Sequence, residues 1–63
     1  MRIRITRDVP PSAEGVAPRV GETYEVEEVI RLKSNPSAVF LYAISVEDQV
    51  IGVSPSECEE FSE

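Results

Sequence analysis

Residues 38–53 read Ala38-Val39-Phe40-Leu41-Tyr42-Ala43-Ile44-Ser45-Val46-Glu47-Asp48-Gln49-Val50-Ile51-Gly52-Val53. The stretch Ala38 to Val46 is nearly continuous apolar sequence, which marks a central strand covered at least in part on both faces. Phe40, Tyr42 and Ile44 share one of those faces, and Val39, Leu41 and Ala43 share the other. One face must be the core, and periodicity alone leaves the choice open. Glu47-Asp48-Gln49 is a short polar link to Val50-Ile51-Gly52-Val53, which predicts a tight hairpin.

Working outward, Arg2 to Arg7 alternates, with Ile3 and Ile5 on one side and Arg2, Arg4 and Thr6 on the other, the period of a half-buried strand. Asp8 to Gly21 contains Pro10, Pro11, Ser12, Gly15, Pro18 and Gly21, a density of breakers that predicts a long surface loop. Glu22 to Leu32 is a second strand whose phase slips once, because Tyr24 and Val26 share a face while the next apolar residue in sequence is Val29. A β-bulge around Glu27 and Glu28 absorbs the extra residue and bends the strand. Asn35-Pro36 marks a turn within Lys33 to Ser37. Ser54-Pro55-Ser56-Glu57 places Pro directly after a Ser cap with an acid following, the pattern of one short helical turn. Glu59 to Ser62 closes the chain as a last short strand.

Five short strands, a long loop after the first and one helical turn before the last predict a single all-β domain over residues 1–63. The expected form is a small five-stranded antiparallel barrel, because closure removes the strand edges that so short a sheet exposes. A 63-residue chain hides a smaller share of its surface than a larger domain does and leaves no room for a deep substrate cleft. No apolar run approaches a membrane span, and Met1-Arg2-Ile3-Arg4-Ile5-Thr6-Arg7 lacks the apolar core of a signal peptide. A soluble, cytoplasmic protein is expected. Cys58 is the single thiol, so packing rather than a disulfide must hold the fold.

The net charge of −6 is unevenly placed. Residues 1–33 balance six basic against six acidic side chains, whereas residues 34–63 carry Glu47, Asp48, Glu57, Glu59, Glu60 and Glu63 with no Lys or Arg. An acidic chain without a basic block offers little to a phosphate backbone, which weighs against nucleic acid as a partner.

Three segments together resemble the SH3 family. Gly21-Glu22-Thr23-Tyr24-Glu25-Val26 is similar to the segment that opens the second SH3 strand. Phe40-Leu41-Tyr42-Ala43 falls where those domains carry paired tryptophans and a small core residue. Gly52-Val53-Ser54-Pro55-Ser56-Glu57 resembles their glycine, apolar pair, proline and 3₁₀ turn. The likeness covers about two thirds of the chain and implies an SH3-like barrel of the small bacterial or phage type. SH3 domains read proline-rich peptides on aromatic grooves. Here Arg2 to Arg7 lacks the two groove tyrosines of the first strand, Phe40 replaces the groove tryptophan, Pro55 is retained, and Cys58 stands in place of a wall tyrosine. Ser54 and Glu59 occupy usual core positions, so the resemblance implies that Val53, Cys58 and Phe61 take over that burial.

The expected function is therefore a non-catalytic interaction module. Its candidate partner-binding residues are Tyr24, Phe40, Tyr42 and Pro55, with the loop from Val9 to Val20, and its partner is a protein or peptide. The competing assignment for Phe40 and Tyr42 is a second layer of core, since a chain this small has few large residues. Cys58 has acidic neighbours and no histidine base, which argues for a buried hydrophobe rather than a nucleophile. No cofactor is expected, and no metal, because the chain has neither a His nor a Cys pair. An alternative is an acidic inhibitor or nucleic-acid mimic that uses Glu47, Asp48, Glu57, Glu59 and Glu60 against a basic protein site. Composition suits a monomer or a subunit of a larger assembly equally. Glu57, Glu59 and Glu60 also lie within reach of Arg2 and Arg4 if the terminal strands pair.

Overall fold

The computed structural model describes residues 1–61. They form β1 (Arg2–Ile5), β2 (Thr23–Arg31), β3 (Val39–Val46), β4 (Gln49–Val53), a 3₁₀ turn (Pro55–Glu57) and β5 (Cys58–Phe61). The expected last strand from Glu59 begins one residue earlier, and its end at Ser62 lies outside the described residues, as does Glu63. All pairings are antiparallel, in the order β4-β3-β2-β1-β5. Among the described residues no ladder joins β4 to β5, so the hydrogen-bonded sheet keeps two edges where closure was expected.

β2 serves both halves of the sheet. Thr23, Tyr24 and Glu25 pair with β1, whereas Val26 and the residues from Glu28 onward pair with β3. Val26 lies opposite Ile44 and Glu28 opposite Ala43, which leaves Glu27 as the inserted residue of a bulge where the phase slip predicts one. Tyr24, Val26 and Val29 accordingly all turn toward the core.

The buried face of β3 is Tyr42, Ile44 and Val46, joined by Ile51 and Val53 of β4, Ile3 and Ile5 of β1 and Cys58 of β5. Ile3, Ile5, Ile44 and Val53 are fully buried, and each such side chain contributes about 1.5–3 kcal/mol of burial. Phe61 departs from expectation. It stands opposite Arg2 with its ring half-buried beneath the Arg4 guanidinium, 4.6 Å from its centroid.

β1 stops at Ile5 rather than continuing to Arg7, because the Thr6 and Arg7 amides both donate to the Glu57 carbonyl (2.9 and 3.3 Å). The connection that follows is more than a surface loop. Val9 and Pro18 are buried and Val16 packs against the core, so this segment supplies cover that the short strands do not. Its own turn is held by the Ser12 amide donating to the Val16 carbonyl (2.8 Å) and the Gly15 amide to the Ser12 carbonyl (2.9 Å). Gly15 sits at φ 79°, open to glycine at no steric cost.

The β3–β4 hairpin is tighter than the three-residue link suggests. Val46 pairs with Gln49, leaving a two-residue turn in which Glu47 and Asp48 have φ of 49° and 66°. Positive φ at both positions suits a turn whose twist matches the strands, but neither residue is the preferred Asn or Gly. Replacing Glu47-Asp48 by Asn-Gly is expected to raise stability by about 1–2 kcal/mol in urea unfolding, the approximate cost of left-handed backbone at two ordinary residues. Ile44→Ala is expected to cost about 2–5 kcal/mol and Phe40→Ala no more than about 0.5 kcal/mol in the same assay. Similar losses at the two sites would contradict the assignment of the core face.

Candidate functional site

Two adjacent strands set the exposure of the aromatic residues. Tyr24 lies opposite Ile3, half-buried on the core face, and its hydroxyl accepts the Arg19 amide (3.0 Å), tying the end of the long loop to β2. Tyr42 is a core residue, 7% exposed. Pro55 is exposed and opens the 3₁₀ turn. Phe40 shares sequence parity with Tyr42 but not its fate. Ile30 pairs with Leu41 and Arg31 with Val39, so Phe40 is the extra residue of a second bulge and stays 54% exposed.

The sheet therefore separates the four sequence candidates. It gathers a different set around Phe40. Because Val29 and Tyr42 face inward, the next pair, Ile30 and Leu41, faces outward. Ile30 is 38% exposed, and Leu32, two residues further along the same face, is 41% exposed. The chain turns back beyond them through the Leu32 amide bonded to the Ala38 carbonyl (3.2 Å) and Arg31 Nη1 bonded to the Pro36 carbonyl (3.3 Å). Ile30, Leu32, Phe40 and half-buried Leu41 thus share the outer side of one hairpin end, with Arg31 and Lys33 beside them in sequence. Ile30 and Leu32 escape a reading based on aromatics, although carrying the alternation past the Glu27 bulge puts both outside.

The acids of the second half are dispersed in role. Glu57 completes a capping box: its Oε1 accepts the Ser54 amide (3.1 Å), while the Ser54 hydroxyl accepts from the turn. Glu59 meets Arg4 at 3.6 Å, and Arg2 meets Glu25 at 3.3 Å. Such exposed pairs contribute about 0.2–1 kcal/mol each. Glu47 and Asp48 project at the hairpin tip, and Glu60 is exposed on β5.

Cys58 is buried, and its thiol donates to the Ser54 carbonyl (3.5 Å). Burial, and then the charge of Glu57, push its pKa up, which disfavours the thiolate a nucleophile needs. Burial also raises the Tyr42 phenol, helped by Glu60 and Cys58 and opposed by Arg31. Among the described residues there is no enclosed pocket and no cluster of three or more metal-ligating side chains.

The two raised values predict an alkaline limit to stability. Folding favours the neutral thiol and phenol, so their contribution is present below the ordinary values of 9.0 and 10.0 and is lost as pH rises through the raised ones. Urea midpoints are expected to fall between neutral pH and about pH 11, and to fall less in Tyr42→Phe. An equal fall in that variant would rule out the phenol as a cause. Comparison of the chain with protein-family models, curated proteins and solved structures gives no match, so the meaning of this surface rests on its own residues.

Proposed function

We propose that the chain is a non-catalytic protein-interaction module on an SH3-like small barrel, working in the cytoplasm with Phe40 at the centre of its binding surface. The observation that carries this reading is the exposure of Phe40 on a bulge, beside Ile30, Leu32 and Leu41. A buried alternative is available to an aromatic at that parity, as Tyr42 shows, yet the inserted residue takes Phe40 off the core face. Aromatic side chains are the usual anchors of protein interfaces, and clustered apolar exposure marks a docking surface more than scattered exposure does.

The five-strand order, the bulged second strand and the 3₁₀ turn after β4 are compatible with the SH3-like shape that the sequence resembles. The proline-reading groove is not retained in that form, since Tyr42 is in the core and Tyr24 is engaged with the loop. The partner expected here is a protein segment whose apolar side chains cover Phe40 together with Ile30 and Leu32. An acidic-mimic role has weaker support, because Glu57 and Glu59 are already held within the fold.

The test is a pull-down from lysate of the source organism with native protein and Phe40→Ser side by side, washed at about 0.05 and 0.5 M salt, where screening lengths differ several-fold. Folding of both proteins is checked by amide NMR spectra. A partner identified by mass spectrometry, held at both salts and lost with Phe40→Ser, is the expected result. A basic partner released by high salt and indifferent to Phe40 would replace this reading with the acidic one.

A further inference from the structure

The edge of β4 differs in kind from the edge of β5. β5 is a four-residue strand carrying Glu59 and Glu60, the sort of charged, short edge that resists pairing. β4 is Gln49-Val50-Ile51-Gly52-Val53, without charge or proline, and Val50 is 72% exposed. In a chain of net charge −6, five uncharged residues on an open edge stand out.

The hairpin fixes which backbone groups that edge offers. With a two-residue turn, Val46 and Gln49 form a hydrogen-bonded pair, and alternation makes Ile44 with Ile51 and Tyr42 with Val53 bonded pairs as well. The N–H and C=O of Val50 and Gly52 therefore point away from β3. Among the described residues no backbone hydrogen bond from the rest of the chain reaches either residue. The long loop touches β4 at Gln49, whose Oε1 accepts the Ser12 hydroxyl (3.0 Å).

We propose that β4 pairs with β4 of a second copy, antiparallel about a two-fold axis at Ile51, to form a symmetric dimer with a continuous sheet. In that register Val50 meets Gly52 of the second copy and Gly52 meets its Val50, so each pair exchanges two hydrogen bonds and all the outward groups are used. The side chains suit this self-pairing. Gly52 is exposed and has no side chain, and Leu41 already leans across it, its Cδ1 lying 3.0 Å from where a Cβ would be. Val50 of the second copy adds to the same outer face, extending the strip of Ile30, Leu41 and Ala43. The symmetry also separates like charges. Glu47 and Asp48 of one copy fall at the level of Pro55 and Ser54 of the other rather than against each other.

An edge of five residues buries less than the roughly 1,200–2,000 Å² of a stable interface. The dimer is accordingly concentration-dependent, and it strengthens with salt because two acidic chains must approach. Sedimentation velocity of the native protein from about 10 µM to about 1 mM, the range of a weak complex, is expected to show a monomer passing to a dimer. Val50→Lys, a change at an exposed site, is expected to remain monomeric throughout with an unaltered fold by amide NMR. In the native protein the Val50 and Gly52 amides are expected to shift and gain exchange protection as concentration rises. A monomer at every concentration and salt would overturn the proposal. So would self-association that persists in Val50→Lys, or growth beyond a dimer.

Discussion

β2 has to satisfy two neighbours that do not share a register. Its first residues bond to β1 and its remainder to β3, and Glu27 is inserted where the allegiance changes. If Glu27 took a regular place in the ladder, the alternation that turns Tyr24 and Val26 inward would turn Glu28 inward and Val29 out. The bulge keeps Val29 against the core, sends Ile30 outward and lets one strand bend between two halves of the sheet. The burial of Ile3 and Ile5 against Ile44 and Val53 depends on that bend, because the cluster draws on both halves.

Much of this was legible because it is written in short-range pattern. The alternation of Ile3 and Ile5, the slip between Val26 and Val29 and the Ser54-Pro55-Ser56-Glu57 cap are each local, and each emerges where its pattern places it. What the pattern hides is set by contacts distant in sequence. Parity groups Phe40 with Tyr42, and only the mismatch between Arg31–Val39 and Ile30–Leu41 pairing separates them. The proline density of residues 8–21 signals a loop but not that Val9 and Pro18 are buried, since burial of a loop residue depends on the cavity the strands leave. Phe61 illustrates the same limit, its ring stacked under Arg4 on the outer face instead of filling the core.

The long connection also bears on stability. A sheet of such short strands has too little inner surface to cover Val46 and Ile51 at the hairpin end, yet both are 8% exposed. Val9 and Val16 belong to the same apolar cluster and complete that cover, while Tyr24 accepting the Arg19 amide and Ile5 bonding Gly21 fix where the loop returns. A segment that looks like linker in composition thus acts as part of the core, which is how a chain of this length reaches adequate burial without a disulfide.

Leu41 connects the two surfaces proposed above as binding sites. On one side it pairs with Ile30 next to Phe40, and on the other its side chain lies over Gly52 at the β4 edge. The outer apolar strip is therefore continuous from the bulge that exposes Phe40 to the edge that offers Val50 and Gly52. A second copy paired along β4 places its own strip on the same face. The two Phe40 surfaces would then lie on one side of a widened sheet, held at a fixed separation by two-fold symmetry. A partner with two apolar segments gains from such an arrangement through effective concentration alone, without any additional contact at either site. Weak self-pairing and weak partner binding would reinforce one another, because each copy that joins brings its second surface within reach.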